Sequence, residues 1–202
     1  MRQSREVAVE TRRKIVKVAA RQFRKHGIGG IAIADVMAKA GLTHGGFYKH
    51  FASKDQLAAE ACAWALATSR QELVTAAEVA PAGRKVDAIA AAYLSMAHRD
   101  HPDWGCVIAA LGAESARLDA GTRGAVADGY NALVELVATH LPKRAGTDQE
   151  RPAQAIVALM VGALTVSRSI ADPAEAERIL EAARLAIARV RDGRTKSRAK
   201  TH

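Results

Sequence analysis

Between Thr43 and His50 the chain reads Thr-His-Gly-Gly-Phe-Tyr-Lys-His. Thr43, His44, Tyr48, Lys49 and His50 supply hydroxyls, imidazoles and an ammonium, and Gly45 and Gly46 leave backbone uncovered between them. A short helix rich in cations and hydrogen-bonding side chains is what the major groove of DNA accepts. The residues around it are those needed to hold such a helix. Ile33, Val36, Met37 and Ala40 fall at helical spacing and predict a preceding helix over 33–40. Gly41 follows, where a helix commonly ends in a left-handed residue. Leu42 can turn into the core, and Thr43 stands where a hydroxyl would cap the second helix. Phe47 and Phe51 point inward from that helix and leave His44, Gly45, Gly46, Tyr48, Lys49 and His50 on its outer face and ends. Two short helices joined across a glycine turn make a helix-turn-helix.

No other part of the chain offers a comparable set. Ser, His and Asp are scattered without a G-x-S-x-G elbow, a phosphate-cradling glycine loop or an H-E-x-x-H pair, so neither an enzyme nor a bound cofactor is expected. His98 and His101, with Asp100 and Asp103, have a spacing that could hold a metal on a continuous helix. Pro102 interrupts that helix, and no metal site is expected. Cys106 lies near the start of a predicted helix, where the dipole lowers a thiol's pKa; a free cysteine also serves as a small buried hydrophobe. Cys62 fits packing. Two cysteines in 202 residues suit free thiols in a reducing cytoplasm rather than a disulfide framework.

The formal charge of +9 is unevenly distributed. Residues 1–56 hold 12 Lys and Arg against 4 Asp and Glu, a net +8; residues 57–188 come to −4 and residues 189–202 to +5. A basic head on a slightly acidic body is the footprint of a nucleic-acid-binding module joined to a regulatory one. A basic membrane-surface helix is the rival, but Ile15, Val18, Ala19 and Phe23 form a stripe too narrow for it. No apolar stretch follows the basic N-terminus as a signal peptide would require, and none reaches the roughly 18 residues of a membrane span.

In order, residues 1–8 read as a basic, disordered arm. Helices follow over about 9–26, 33–40 and 44–50. A long helix, capped by Ser53, runs over 54–77. Further helices are expected over 84–99, from Cys106 to about 118, 122–141, 152–170 and 173–191. The last two carry apolar stripes at alternating steps of four and three: Ile156, Met160, Ala163, Ser167 and Ile170, then Ala176, Leu180, Ala183, Ile187 and Val190. Each has a second row (Val157 and Leu164; Ile179 and Leu185). Such stripes suit helix bundles with close approach. The fold class is all-α: a three-helix helix-turn-helix domain over 1–53, a helical domain over 54–192 and a basic tail over 193–202.

The first 60 or so residues resemble the DNA-binding domain of TetR/AcrR-type bacterial transcriptional regulators. The matching residues are Ala19-Ala20 and Phe23 before Gly27; Ala40-Gly41-Leu42-Thr43; Gly45; and Tyr48-Lys49-His50-Phe51 with Ser53-Lys54-Asp55 and Leu57. The resemblance implies a homodimeric, ligand-responsive repressor released from double-stranded operator DNA by a small-molecule effector. It implies DNA contacts from Thr43, His44, Gly45, Gly46, Tyr48, Lys49 and His50, and a grip on the DNA backbone from Lys54. It places an effector pocket in the second domain, with Trp64, Tyr93, Met96, Trp104, Cys106, Ile108, Leu111, Tyr130, Leu133 and Met160 as candidates for its lining. It assigns the last two helices to a homodimer seam containing Ile156, Met160, Ala163, Ser167, Ile170, Leu180, Ala183, Ile187 and Val190. Some similar regulators sense electrophiles or oxidants through a cysteine near Trp104-Gly105-Cys106, so sensing by Cys106 is the alternative. Two residues depart from the family pattern. Ala32 stands where a capping Ser or Thr is usual, an omission worth about 1 kcal/mol, and Gly46 is a second glycine within the recognition helix.

Overall fold

The computed structural model describes residues 2–143 and 148–193. Among these the secondary structure is entirely helical: α1 Arg2–His26, α2 Ile33–Lys39, a 3-10 helix His44–Lys49, α3 Lys54–Glu78, α4 Lys85–Tyr93, α5 Met96–Asp100, α6 Val107–Ser115, α7 Ala120–His140, α8 Glu150–Arg168 and α9 Pro173–Arg191. No helix among the described residues is long and apolar enough to cross a membrane. Two compact units form: one from residues up to 71 together with 101–131, the other from 72–100 together with the residues from 132 onward.

The all-α expectation holds, with differences at the helix ends that have local causes. Helix α1 takes in residues 2–8, expected as a disordered arm. No Gly or Pro occurs before Gly27 to stop it, and neither residue is tolerated cheaply inside a helix. The helix expected over 84–99 is divided in two at Leu94 and Ser95. There the Ser95 hydroxyl accepts from the His98 amide (3.2 Å) and the Tyr93 carbonyl meets His98 Nδ1 (2.6 Å), local bonds that compete with the helical ladder. Helix α7 begins before Gly121 because the Asp119 carboxylate accepts from the amides of Gly121 and Thr122. The expected basic tail, from residue 194 on, lies outside the described residues.

In the first unit Ile15, Ala19 and Phe23 of α1, Val36 and Met37 of α2, Phe47, Phe51 and Leu57 are all buried. Helix α2 packs against α1 and against the 3-10 helix, and α6 packs against α1. In the second unit α8 lies along α9, with α4 against both and α5 against α8. Its end is clasped by two arginines. Arg99 donates to the Ser167 and Ile170 carbonyls at the C-terminus of α8 (2.9 and 2.5 Å), and Arg168 donates to those of His98 and Arg99 (2.8 and 3.2 Å). Cations placed there satisfy carbonyls that a helix end leaves open.

Candidate nucleic-acid interface

Gly41, with φ +69°, turns the chain out of α2 in a conformation that favours glycine. Its amide and that of Leu42 bond back to the Ala38 and Met37 carbonyls at 2.9 Å, so the α2 cap is the one the sequence indicates. The second helix differs: it is 3-10 rather than α over His44–Lys49. Thr43 has the extended backbone of an N-cap, but its hydroxyl makes no capping bond. Two consecutive glycines weaken helical propensity here, while Phe47 and Phe51, stacked with ring centres 5.6 Å apart, pin the segment from beneath.

That pinning decides which side chains face out. Thr43, His44, Gly45, Tyr48 and Lys49 are exposed, Tyr48 to 66%, whereas Gly46 and His50 are half-buried. The His44 and Tyr48 rings stand edge to face 6.4 Å apart. The segment therefore presents a hydroxyl, an imidazole, a phenol and an ammonium together, without a carboxylate among them. Such a surface matches phosphate oxygens and the acceptor-rich edges of bases.

Lys54 is held differently. At the start of α3 its ammonium donates to the Ile31 carbonyl at 2.7 Å. One of its three donors thus fixes the loop before α2, and two remain. Ser53 caps α3 as expected: its hydroxyl accepts from the Gln56 amide (3.1 Å), while Gln56 Oε1 accepts from the Ala52 amide (2.8 Å).

Arg12 is a residue that no sequence pattern singles out. Its guanidinium lies over the Phe51 ring, 4.2 Å from the centroid, donates to the His50 carbonyl, and pairs with both oxygens of Glu60 on α3. One side chain thus ties α1, α3 and the end of the 3-10 helix together. Glu60 is 48 residues away, and no local pattern marks so remote a partner. Arg24 was missed for the same reason. It is buried and donates to the carbonyls of Ala20 (3.0 Å) and Gly105 (2.7 Å). Burial lowers its pKa to about 10, against the opposing pull of Asp103 and Cys106.

The residues nominated as effector lining divide between the units. Trp64 lines a cleft of about 320 Å³ with Val9, Arg12, Arg13, Val16, Glu60 and Ala63 of the first unit, and no other nominated residue lines it. Trp104 is 46% exposed and lies against His101. Cys106 and Leu111 are buried in the first unit, where Ile108 and Tyr130 are half-buried. Tyr93, Leu133 and Met160 are buried in the second, where Met96 is half-buried.

The nominated seam residues differ in how far the chain itself covers them. Ile156, Met160, Ser167, Leu180, Ala183 and Ile187 are buried inside this one chain, while Ala163, Ile170 and Val190 are half-buried. A side chain already covered by its own helices cannot supply the principal surface for a second copy. Among the described residues of α8 and α9, the large apolar side chains that stand exposed are Val166 and Leu185.

Residues 15–61 match the bacterial regulatory proteins of the tetR family, and residues 82–183 match the tetracyclin repressor-like C-terminal domain. Among curated proteins, the HTH-type transcriptional regulator TtgR of Pseudomonas putida is 40% identical over 57 residues, 28% of this chain and 27% of the relative. That alignment spans about a quarter of TtgR. Among solved structures, a TetR transcriptional regulator from Chloroflexus aurantiacus is similar at TM-score 0.75 and 30% identity, over 93% of this chain and 95% of that one. Escherichia coli NemR, crystallised in its reduced form, shares the fold at TM-score 0.73 and 20% identity, over 88% and 95% of the two chains. The chain belongs to the TetR family of transcriptional regulators.

Proposed function

We propose that this regulator is a repressor that binds operator DNA as a homodimer in the cytoplasm and is released by a small-molecule effector. Residues 1–53 serve as the DNA-binding module, and residues 54–192 bind the effector and the second copy. The observation that carries the reading is the outward set of Thr43, His44, Tyr48 and Lys49 around the bare backbone of Gly45, pinned by buried Phe47 and Phe51. The net charge of +8 over the first 56 residues supplies the phosphate attraction that such readout requires. In this account Lys54 keeps its bond to Ile31 and turns a free donor to a phosphate.

Dimerisation is assigned to the outer faces of α8 and α9, where Val166 and Leu185 stand exposed. Two heads on adjacent half-sites then lie about one helical turn apart, roughly 34–36 Å, or somewhat more. Helices α3 and α7 each contribute residues to both compact units, which gives the effector signal a covalent route to the head.

Electrophoretic shift with the DNA upstream of the protein's own coding sequence tests the reading. Sequence-selective retardation is expected, with preference altered by His44→Ala. Lys54→Ala should weaken binding to all duplexes alike and flatten the salt dependence by about one unit of slope. Equal, salt-sensitive retardation of every duplex would instead mark a non-selective DNA binder.

Sensing through Cys106 is the second reading, favoured by one observation: the buried Arg24 guanidinium donates to the carbonyl of Gly105, the residue before Cys106, a cation that the sequence did not place there. Its obstacle is access, for Cys106 is only 2% exposed. Alkylation of the folded protein at Cys106, faster than at Cys62 and abolishing the shift, is the result this second reading requires.

A further inference from the structure

The loop leading into the helix-turn-helix is held from outside the first 60 residues. Glu114, on α6, accepts the Gly29 amide on Oε1 (2.9 Å) and the Ile28 amide on Oε2 (3.2 Å). Gly27 fits this arrangement. Its φ is +77°, and a Cβ there would sit 3.0 Å from Glu114 Oε2, so a side chain would crowd the carboxylate. Two further contacts fasten the segment just before α6 to α1: Arg24 donates to the Gly105 carbonyl at 2.7 Å, and Arg21 pairs with Asp103 at 3.5 Å.

The loop needs such support because of Ala32. At the N-cap of α2, Ala32 offers no side-chain acceptor, so the start of α2 lacks the usual internal anchor. The loop is instead gripped at its beginning by Glu114 and near its end by Lys54 on the Ile31 carbonyl. A carboxylate accepting two backbone amides makes charge-assisted bonds, stronger than neutral ones.

We propose that Glu114 is a positioning residue for DNA reading: its carboxylate on α6 holds the Ile28–Gly29 amides and thereby sets where α2 and the recognition segment stand on α1. This rests on the DNA-binding function proposed above and extends it by making α6 a working part of the head. Loss of the carboxylate loosens the aim of the recognition segment while leaving the head's own cations and core in place. Base readout depends on that aim, and general phosphate attraction depends on it much less.

The test uses the full chain, a duplex selected by the unaltered protein from a random-sequence pool, and a scrambled duplex of equal length. Glu114→Ala is expected to speed hydrogen exchange at the Ile28 and Gly29 amides by about tenfold or more, as loss of charge-assisted bonds implies. Affinity for the selected duplex should fall by about tenfold and affinity for the scrambled one by less than about twofold, with little change in melting temperature. Glu114→Gln, which keeps one acceptor oxygen, should fall between, and it replaces the alanine variant if that one does not fold. Unchanged exchange, an unchanged ratio of the two affinities, or parallel loss of both affinities with melting temperature would overturn the proposal. If the unaltered protein selects no duplex, the DNA-reading function fails and the role of Glu114 with it, while the exchange measurement still reports whether the clasp exists.

Discussion

Gly45 stands in open space: a Cβ built on it meets nothing of the chain within 4 Å. Internal packing therefore does not demand glycine there, and Gly45→Ala should leave stability unchanged or raise it by up to about 1 kcal/mol. If DNA backbone approaches this point closely, the same change lowers operator affinity. Thermal melting and a binding titration on one sample separate the two effects, and an alanine variant that binds normally would remove Gly45 from the interface. Cys62 offers a second prediction. Burial raises its thiol from 9.0 to about 11, outweighing the Arg24 charge that pulls it down. Below pH 9 the thiol is neutral folded or unfolded. Between pH 9 and 11 the unfolded thiol ionises while the folded one keeps its proton, so stability present below pH 9 is lost as pH rises, by on the order of 1 kcal/mol per unit. Denaturant titrations at pH 8 and 10.5 should therefore show a smaller loss for Cys62→Ala than for the unaltered protein; equal losses would contradict the shift. Residues such as Phe47 and Phe51 were legible because burial follows from spacing along one short segment. Arg12, Arg24 and Glu114 were not, because each acts on a partner 38 or more residues away.

At the level of helices, α8 and α9 show what a periodic pattern can and cannot tell. The four-and-three stripes give the right helices and an apolar face on each. They do not say which of two apolar rows meets the chain's own helices, since that depends on α4 and α5 lying against them. On α9 the two rows part, with Leu180 buried and Leu185 57% exposed, whereas on α8 both are covered, Val157 and Leu164 as fully as Ile156 and Met160. The two leucines should therefore respond in opposite ways. Leu180→Ala should cost about 2–5 kcal/mol of stability by leaving a cavity. Leu185→Arg should change stability by less than about 0.5 kcal/mol in the separated chain but shift the proposed dimer toward monomer, as light scattering at micromolar concentration would show. An unchanged mass for Leu185→Arg would exclude the outer face of α9 from the seam. The recognition segment was misread in another way. Its position and inward residues were clear, but the tighter 3-10 winding over His44–Lys49 reflects two adjacent glycines and an unmade Thr43 cap, which helical periodicity over six residues does not register.

For the molecule as a whole, charge and chain order carry the functional argument. The basic residues gather in the part that bears the recognition segment, while the intervening residues 57–188 are slightly acidic, as expected where one part attracts phosphates and another does not. Both parts match the same family of regulators. An effector acting on such a protein need supply only a typical coupling of about 1–3 kcal/mol for 5–150-fold release, and operator DNA must weaken effector binding by the same factor. The claim on which the rest depends is that the segment 43–50 reads sequence rather than only phosphate charge. It is tested most directly by measuring affinity for the selected and scrambled duplexes over a range of salt concentrations, with the unaltered protein and with His44→Ala. Selective readout predicts that both duplexes weaken as salt rises, that the selected one stays at least about 10³-fold tighter, and that His44→Ala narrows this gap. Coincident curves for the two duplexes at every salt concentration would contradict it.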